Sequence, residues 1–159
     1  MRKTSRRPVE AITGSIRVLI AEGNPYLRKL IRNLLVNVGV KTIDEAEDGL
    51  AAFEAIKSLE PDVVILAWEL PLLSGPDLVR IVRTPGMLAS ATPPIIMLGT
   101  SAERRRIAEV KRLGIKAYLT TPISAKTLLD RIVTILMKSR PANAPQGGPE
   151  QSANAPFLV

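Results

Sequence analysis

Few side chains in this 159-residue sequence could do chemistry, because it contains neither cysteine nor histidine. It therefore has no thiolate nucleophile, no zinc site built on sulfur, and no imidazole base. Two glutamates, Glu22 and Glu69, each follow a short apolar run, RVLIA at 17–21 and DVVILA at 62–67. Carboxylate oxygens bind Mg²⁺ and Ca²⁺, so this pair predicts either a weak cation site or, as we favour, two solvated loop acids.

The elements that would position these acids alternate between strands and amphipathic helices. Apolar runs predict five strands, near 17–21, 41–46, 62–67, 94–99 and 116–120, with the polar second strand at a sheet edge. Five helices are predicted between and after them. The first follows the cap Asn24 with Pro25, and the fourth follows a capping box of Thr100 and Glu103.

Five strands alternating with five helices predict an α/β fold with a doubly wound parallel sheet. In such sheets the functional crevice lies at the carboxyl ends of the strands. The residues to examine there are 21–23, 67–69, 99–101 and 120–122.

The two ends of the chain differ from its middle. Residues 1–15 carry Arg2, Lys3, Arg6 and Arg7, and we predict a basic disordered tail. Residues 139–159 are rich in Pro, Gly and Ala and predict a second disordered tail, which ends in apolar residues 157–159. The cations lack interleaved aromatics, so we do not expect a nucleic-acid partner. With no apolar run long enough to span a bilayer and no signal peptide, we expect a cytoplasmic protein without membrane contact.

Five stretches, in order and at the right spacing, resemble the receiver domains of bacterial two-component response regulators. They are VLIAEGNPYLRKLI, EAEDGLAAFEAI, PDVVILAWELPLLSG, PIIMLG and AYLTTPIS. The resemblance covers residues 16–138 and is closest to single-domain, CheY-like receivers, since no DNA-binding module follows. It implies a flavodoxin-like sheet of order 2-1-3-4-5 flanked by five helices.

The resemblance also implies where the chemistry of a working receiver would lie. Such a domain takes a phosphoryl group onto an aspartate, aided by an acidic pair that holds Mg²⁺, a hydroxyl residue and a lysine. The acidic pair matches Glu22 and Gly23, the acceptor Ala67, the hydroxyl Gly99 and the lysine Thr121. We therefore expect a pseudo-receiver that is not an enzyme and holds no metal or cofactor, although Pro71 and Pro122 keep the family's loops.

Function would then lie on a surface, and the resemblance implies the face of the fourth helix, fifth strand and fifth helix. The family's switch aromatic matches Tyr118, and Trp68 follows the acceptor position. Each also has an ordinary role, as a core tyrosine or a packed tryptophan. A basic run lies nearby, and it could equally be the solvated side of a helix: Arg104, Arg105, Arg106, Lys111 and Arg112.

Three functions fit these residues. The leading hypothesis is a protein-interaction module that binds a kinase, regulator or effector of a signalling pathway. The alternative is a sensor of a nucleotide second messenger, such as a cyclic dinucleotide, bound by the arginines. A phosphotransfer protein with a relocated acceptor is the third. A weak homodimer stays open.

Overall fold

The strands form one five-stranded parallel sheet in the order β2-β1-β3-β4-β5. The computed structural model describes residues 6–138. Strands β3 and β4 are buried at every residue because helices cover both faces of the sheet. The α/β class and the strand order are confirmed. The bounds are β1 (Arg17–Ala21), β2 (Thr42–Ala46), β3 (Val63–Ala67), β4 (Ile95–Gly99) and β5 (Ala117–Thr120).

Within residues 6–138 six helices flank the sheet, one more than the five predicted. The five predicted helices are α2 to α6, and α1 lies in the segment predicted to be a disordered tail. Among the described residues, no helix is both long and apolar enough to cross a bilayer. The bounds are α1 (Arg6–Ser15), α2 (Pro25–Asn37), α3 (Gly49–Leu59), α4 (Gly75–Val82), α5 (Arg104–Arg112) and α6 (Ala125–Lys138).

Helix α1 is held by tertiary contacts that the local sequence does not reveal. Thr13 is fully buried, and Ile16, just beyond the helix end, is a core residue. The helix also contacts α6, the last helix of the fold. The nearby cations suggested a solvated tail, whereas packing supplies most helical stability in proteins. Residues 1–5 and the predicted tail 139–159 lie outside the described part of the chain.

Side-chain caps begin four of the described helices, α6 among them, where Ser124 Oγ accepts the N–H of Thr127 at 3.1 Å, and one predicted cap is absent. Asn24 Oδ1 accepts hydrogen bonds from the backbone N–H groups of Tyr26 at 2.9 Å and Leu27 at 3.3 Å. Asp48 and Ser74 cap α3 and α4 in the same way. The predicted Thr100–Glu103 capping box was wrong, because Glu103 is itself the N-cap residue and makes no side-chain cap.

Two apolar layers lie on the two faces of the sheet. One is formed with α2 and α6, and the other with α3, α4 and α5. Alternate residues of each central strand supply the two layers, so both layers hold the same sheet in place. The principal helix residues of the first layer are Ile31, Leu35, Leu128, Ile132 and Ile135, and those of the second are Ala52, Ile56, Leu78, Val79, Val82 and Val110.

The polar second strand lies at an edge of the sheet, as predicted, and pairs only with β1. Its acids are compensated by basic side chains. Asp44 lies 3.4 Å from Arg17, and Glu45 accepts from Arg28 at 3.2 Å and from Arg32 at 2.8 Å. These half-exposed pairs contribute little to stability, but charge along an edge strand discourages pairing with another chain.

We expect Asn24→Ala to lower the free energy of unfolding by about 1 kcal/mol, because two backbone N–H groups of α2 lose their acceptor. Urea denaturation followed by circular dichroism measures the change. Asn33→Ala is the matched control, since Asn33 is exposed in the middle of the same helix. Equal losses in the two variants would show that the cap has no special role.

Candidate functional site

The carboxyl edge of the sheet brings together the strand ends singled out in the sequence, at residues 21–23, 67–69, 99–101 and 120–122. Ala67 ends β3 and is buried, and its methyl group stands where the chain turns into the next loop. Trp68 follows, half-buried, with its backbone N–H bonded to the carbonyl of Leu98 at 2.8 Å. Thr121, half-buried after β5, donates its N–H to the Gly99 carbonyl at 3.1 Å.

The two glutamates have partners within the protein. Glu22 is only 8% exposed, and its Oε2 accepts the backbone N–H of Asn24 at 3.0 Å. Glu69 is exposed and accepts from Arg106 Nη2 at 3.1 Å. No group of three His, Cys, Asp or Glu side chains suited to a metal occurs within residues 6–138. Glu69 is thus an exposed acid paired with a cation, whereas the prediction of a solvated loop acid was wrong for Glu22, which is buried.

The loop of residues 68–74 is held by close backbone packing in its middle and between its two ends. Gly49, the first residue of α3, donates its N–H to the Pro71 carbonyl at 3.0 Å, and a Cβ there would lie 2.8 Å from the carbonyl carbon of Leu73. Gly75, the first residue of α4, donates to the Trp68 carbonyl at 2.9 Å. The two glycines allow both helices to approach the loop more closely than any other residue would.

The loop after β1 packs against the same segment. A Cβ built on Gly23 would lie 2.9 Å from Cδ of Pro71 and 3.3 Å from the carbonyl oxygen of Glu47. An acidic side chain at position 23 would thus require Pro71 to shift. This part of the edge is filled by protein atoms.

Tyr118 is fully buried, with 0% of the residue exposed. Its hydroxyl donates to the backbone carbonyl of Ser101. Its ring meets the Trp68 ring edge to face, with centroids 6.3 Å apart and planes at 81°, an arrangement that aromatic pairs prefer. A fully buried ring cannot make the direct partner contact predicted for this residue.

Gly99 is what makes room for the Tyr118 ring. A Cβ built on Gly99 would overlap the Tyr118 hydroxyl and lie 2.7 Å from its Cζ. Any side chain at position 99 would therefore force the tyrosine to move. Position 99 is the one that the family resemblance matches to a hydroxyl residue, so the missing hydroxyl and the buried tyrosine are two aspects of one packing arrangement.

Arg106 completes this group of contacting side chains. Its guanidinium carbon lies 4.7 Å from the centroid of the Trp68 ring, while Nη2 donates to Glu69. Burial lowers the pKa of Arg106, but hydrogen bonds to Glu69 and the Tyr118 hydroxyl outweigh it and leave the pKa raised. We call Trp68, Glu69, Arg106 and Tyr118 the aromatic cluster.

The sequence grouped Arg106 with its neighbours, but the structure separates it from them. Arg105 is exposed and only 3.9 Å from Glu103, and Arg112 is paired with Glu109 at 3.3 Å. Glu109 also accepts from Arg80 of α4, so one side of α5 is bound to its neighbour. The remaining predicted residues, Arg104 and Lys111, are exposed.

Helical spacing tells which side of α5 these two residues occupy. Arg106 and Glu109 contact the loop after β3 and α4, and residues on an α-helix are separated by about 100°. By that spacing, Arg104 and Lys111 lie on the opposite side of the helix, away from α4. The predicted basic surface is thus not continuous. Arg106 belongs to the aromatic cluster, Arg105 and Arg112 lie on one exposed side of α5, and Arg104 and Lys111 lie on another.

Comparisons with known proteins give the family. Residues 18–133 match the response regulator receiver domain. Chemotaxis protein CheY-3 of Vibrio cholerae is 30% identical over 125 residues, which are 78% of this chain and 95% of that protein. Chemotaxis protein CheY of Pseudomonas aeruginosa is 31% identical over 120 residues, 76% of this chain and 95% of that protein.

Solved structures agree with this assignment. The receiver domain of the Francisella response regulator 1452 superposes with a TM-score of 0.71 at 25% identity, covering 79% of this chain and all of that one (100%). Vibrio cholerae CheY4 gives 0.68 at 26% identity, covering 76% and 98%. The chain belongs to the response regulator receiver family, whose members act in two-component signal transduction.

We expect Gly99→Ala to lower the free energy of unfolding by about 1–3 kcal/mol, the usual cost of overpacking. The same substitution in a Tyr118→Leu background should cost at least about 1 kcal/mol less, since leucine lacks the overlapping atoms. Urea denaturation of the four proteins measures this coupling, and the fluorescence of Trp68, the one tryptophan, reports on the displaced ring. Equal costs in both backgrounds would contradict the packing described.

Proposed function

We propose that this protein is a phosphorylation-independent pseudo-receiver, a protein-interaction module of bacterial signal transduction that acts in the cytoplasm. The observation that carries the proposal is the filled space at the carboxyl edge: the Tyr118 ring lies beside Gly99, and β3 ends there in the buried methyl group of Ala67. A methyl group cannot form an acyl phosphate. The neighbouring carboxylates, Glu22 and Glu69, are already engaged by Asn24 and Arg106.

The electrostatics of the edge support this proposal. A working receiver crowds carboxylates together and needs a metal ion and a lysine to offset their repulsion. Here Gly23 and Ala67 stand at two of the acidic positions and Thr121 at the position of the lysine. Two carboxylates and the lysine that would offset them are missing together, so the fold is not left with an uncompensated charge. The site would thus be independent of metal.

The packing of Tyr118 supports a single conformational state. The resemblance implies a switch aromatic that changes rotamer upon phosphorylation, and such a switch needs two arrangements of similar free energy. Here the inward ring has a hydrogen bond to Ser101 and an edge-to-face contact with Trp68. No side chain at Gly99 competes for its space. A partner would accordingly meet one fixed surface rather than a switched one.

The face of α5, β5 and α6 is where we propose that the partner binds. Arg104 and Lys111 present basic groups on the side of α5 away from α4, and Lys116 and Lys126 are exposed on the neighbouring elements. Such a surface favours a partner with acidic side chains. Tyr118 would act from inside, by holding β5 and the start of α5 in position, and not as a contact residue.

One observation favours the alternative, a nucleotide second-messenger sensor. Arg106 over Trp68 is the combination of a guanidinium and an aromatic ring that such a ligand would need. In this structure the guanidinium already covers the ring and pairs with Glu69, so binding would have to break the aromatic cluster. The protein-interaction function requires no such rearrangement.

Incubation with acetyl phosphate and Mg²⁺ should leave the protein unlabelled, because no acceptor carboxylate is available. Intact-mass spectrometry measures the outcome, with Pseudomonas aeruginosa CheY as the positive control. We expect Ala67→Asp alone to be labelled at least about 10²-fold more slowly than the control, since Gly23 and Thr121 supply no stabilising charge. A phosphoryl group on Glu22 or Glu69 would establish the relocated acceptor instead.

Charge reversal on α5 should locate the binding face. After affinity capture of a partner, Arg104→Glu combined with Lys111→Glu should slow association and weaken binding about tenfold or more, whereas Arg112→Glu, on the other side of the same helix, should change binding little. Calorimetry with the captured protein and with a panel of cyclic dinucleotides distinguishes the two functions. Tight binding of a dinucleotide that Arg106→Ala abolishes would overturn the interaction-module proposal.

A further inference from the structure

The loop after β3 forms a depression that the aromatic cluster leaves open. The depression has a volume of about 450 Å³ and is lined by Trp68, Glu69, Leu70, Pro71 and Ser74. Sites that bind small groups usually measure about 300–1,000 Å³ and combine an apolar lining with a few placed polar groups. This depression has that composition, with three apolar side chains, one carboxylate and one hydroxyl.

The depression is preformed. All of its lining residues belong to the loop of residues 68–74, which the backbone hydrogen bonds from Gly49 and Gly75 hold in place. At the end of the loop, Ser74 Oγ accepts the backbone N–H of Asp77 at 3.3 Å, so this side chain is fixed as the cap of α4. Binding would therefore require little ordering of the protein, which favours affinity.

The charge that the depression presents to solvent is negative. The Glu69 side chain is 72% exposed, whereas that of its partner Arg106 is 22% exposed. Arg106 Nη2 donates to Oε1 of Glu69 at 3.1 Å, which leaves Oε2 accessible to a second cation. The guanidinium lies over the Trp68 ring. A ligand that approaches from solvent thus meets the carboxylate first.

A carboxylate elsewhere in this fold already accepts two guanidinium groups. Glu45 is paired through Oε1 with Arg28 at 3.2 Å and through Oε2 with Arg32 at 2.8 Å. The same arrangement at Glu69 would use Arg106 on Oε1 and an external cation on Oε2. The existing ion pair is therefore compatible with a second cation.

We propose that the depression binds one arginine side chain of a partner protein. A guanidinium group is flat and weakly hydrated, so it packs on aromatic and other apolar surfaces while it donates to a carboxylate. Trp68 and Pro71 would supply the apolar surface and Glu69 the acceptor. A lysine ammonium is compact and strongly hydrated and would use these walls less well. Arginine is also among the residues that most often dominate binding at protein interfaces.

The depression adjoins the proposed binding face. The hydrogen bond between Arg106 and Glu69 joins α5 to the loop after β3, so a partner that binds α5 would lie next to the depression. The inference rests on the proposed function in one respect, that the arginine belongs to a protein partner. The binding of an arginine side chain itself can be measured on this chain alone.

Titration with a peptide-like arginine tests the proposal on the full chain. Trp68 is the only tryptophan in the sequence, so isotope-labelled protein gives one indole N–H signal in an NMR spectrum. Nα-acetyl-arginine methylamide should shift this signal, with a dissociation constant in the millimolar range. The citrulline analogue has nearly the same shape and no charge. It should bind about three- to fivefold more weakly, as expected for the loss of an exposed ion pair.

Two variants separate this site from general electrostatics. Glu69→Gln should weaken binding of the arginine analogue by the same factor and leave binding of the citrulline analogue unchanged. Glu103→Gln is the matched control and should change neither, because Glu103 is also exposed and lies near an arginine, Arg105, but does not line the depression. An indole signal that does not move, or equal binding of the two analogues, would overturn the proposal.

Free L-arginine distinguishes a protein partner from the amino acid itself. It carries charged α-amino and α-carboxyl groups that an arginine within a protein lacks. Tighter binding of free L-arginine than of the methylamide would assign the depression to the amino acid and contradict the proposal. Failure of the proposed binding face would appear separately, as partner capture that does not respond to charge reversal on α5.

Discussion

The geometry of this domain's carboxyl edge depends on one packing arrangement, the Tyr118 ring in the space beside Gly99. Because the ring is inside, its hydroxyl reaches the Ser101 carbonyl and its edge reaches Trp68. Trp68 then offers its face to Arg106, whose guanidinium reaches Glu69. Each contact positions the next, so the start of α5 and the loop after β3 are joined through a single buried phenol.

The charged side chains at this edge are positioned by the same packing arrangement. The guanidinium of Arg106 lies over the Trp68 ring at this edge. The carboxylate of Glu69, in the loop after β3, is its counterion. A half-exposed pair of this kind contributes little stability by itself. Its role is geometric, since it keeps the guanidinium over the Trp68 ring. The aromatic cluster is therefore a means of fixing shape.

Much of the fold could be predicted from the sequence because its signals are local. The continuous apolar run of β3 predicts a strand covered on both faces, and Asn24 followed by Pro25 marks a helix start. Helix α1 could not be predicted in this way, because its contacts with α6 join segments that are distant in sequence. The capping box failed for a related reason: the spacing of Thr100 and Glu103 allows that hydrogen bond, but the loop geometry does not form it.

The strand ends at the carboxyl edge were predicted in position, but the packing between their side chains was not. The resemblance placed Gly99 and Tyr118 correctly on neighbouring strands, yet the inward ring follows only from considering the two together. The combination of a glycine at one position and a bulky ring on the adjacent strand was the available signal. Helical periodicity could not single out Arg106 among three arginines, because its partner Glu69 lies in a loop with no periodicity.

The two glycines that hold the loop of residues 68–74 have a consequence for how such a domain can change over time. Gly49 and Gly75 fix the loop through backbone contacts, to the Pro71 and Trp68 carbonyls, that involve no acidic side chain. The shape of this loop is thus specified by backbone atoms and not by acidic side chains. A domain built in this way can change the side chain at the end of β3 and still present the same loop, so recognition of this loop by a partner would not depend on which residue occupies position 67.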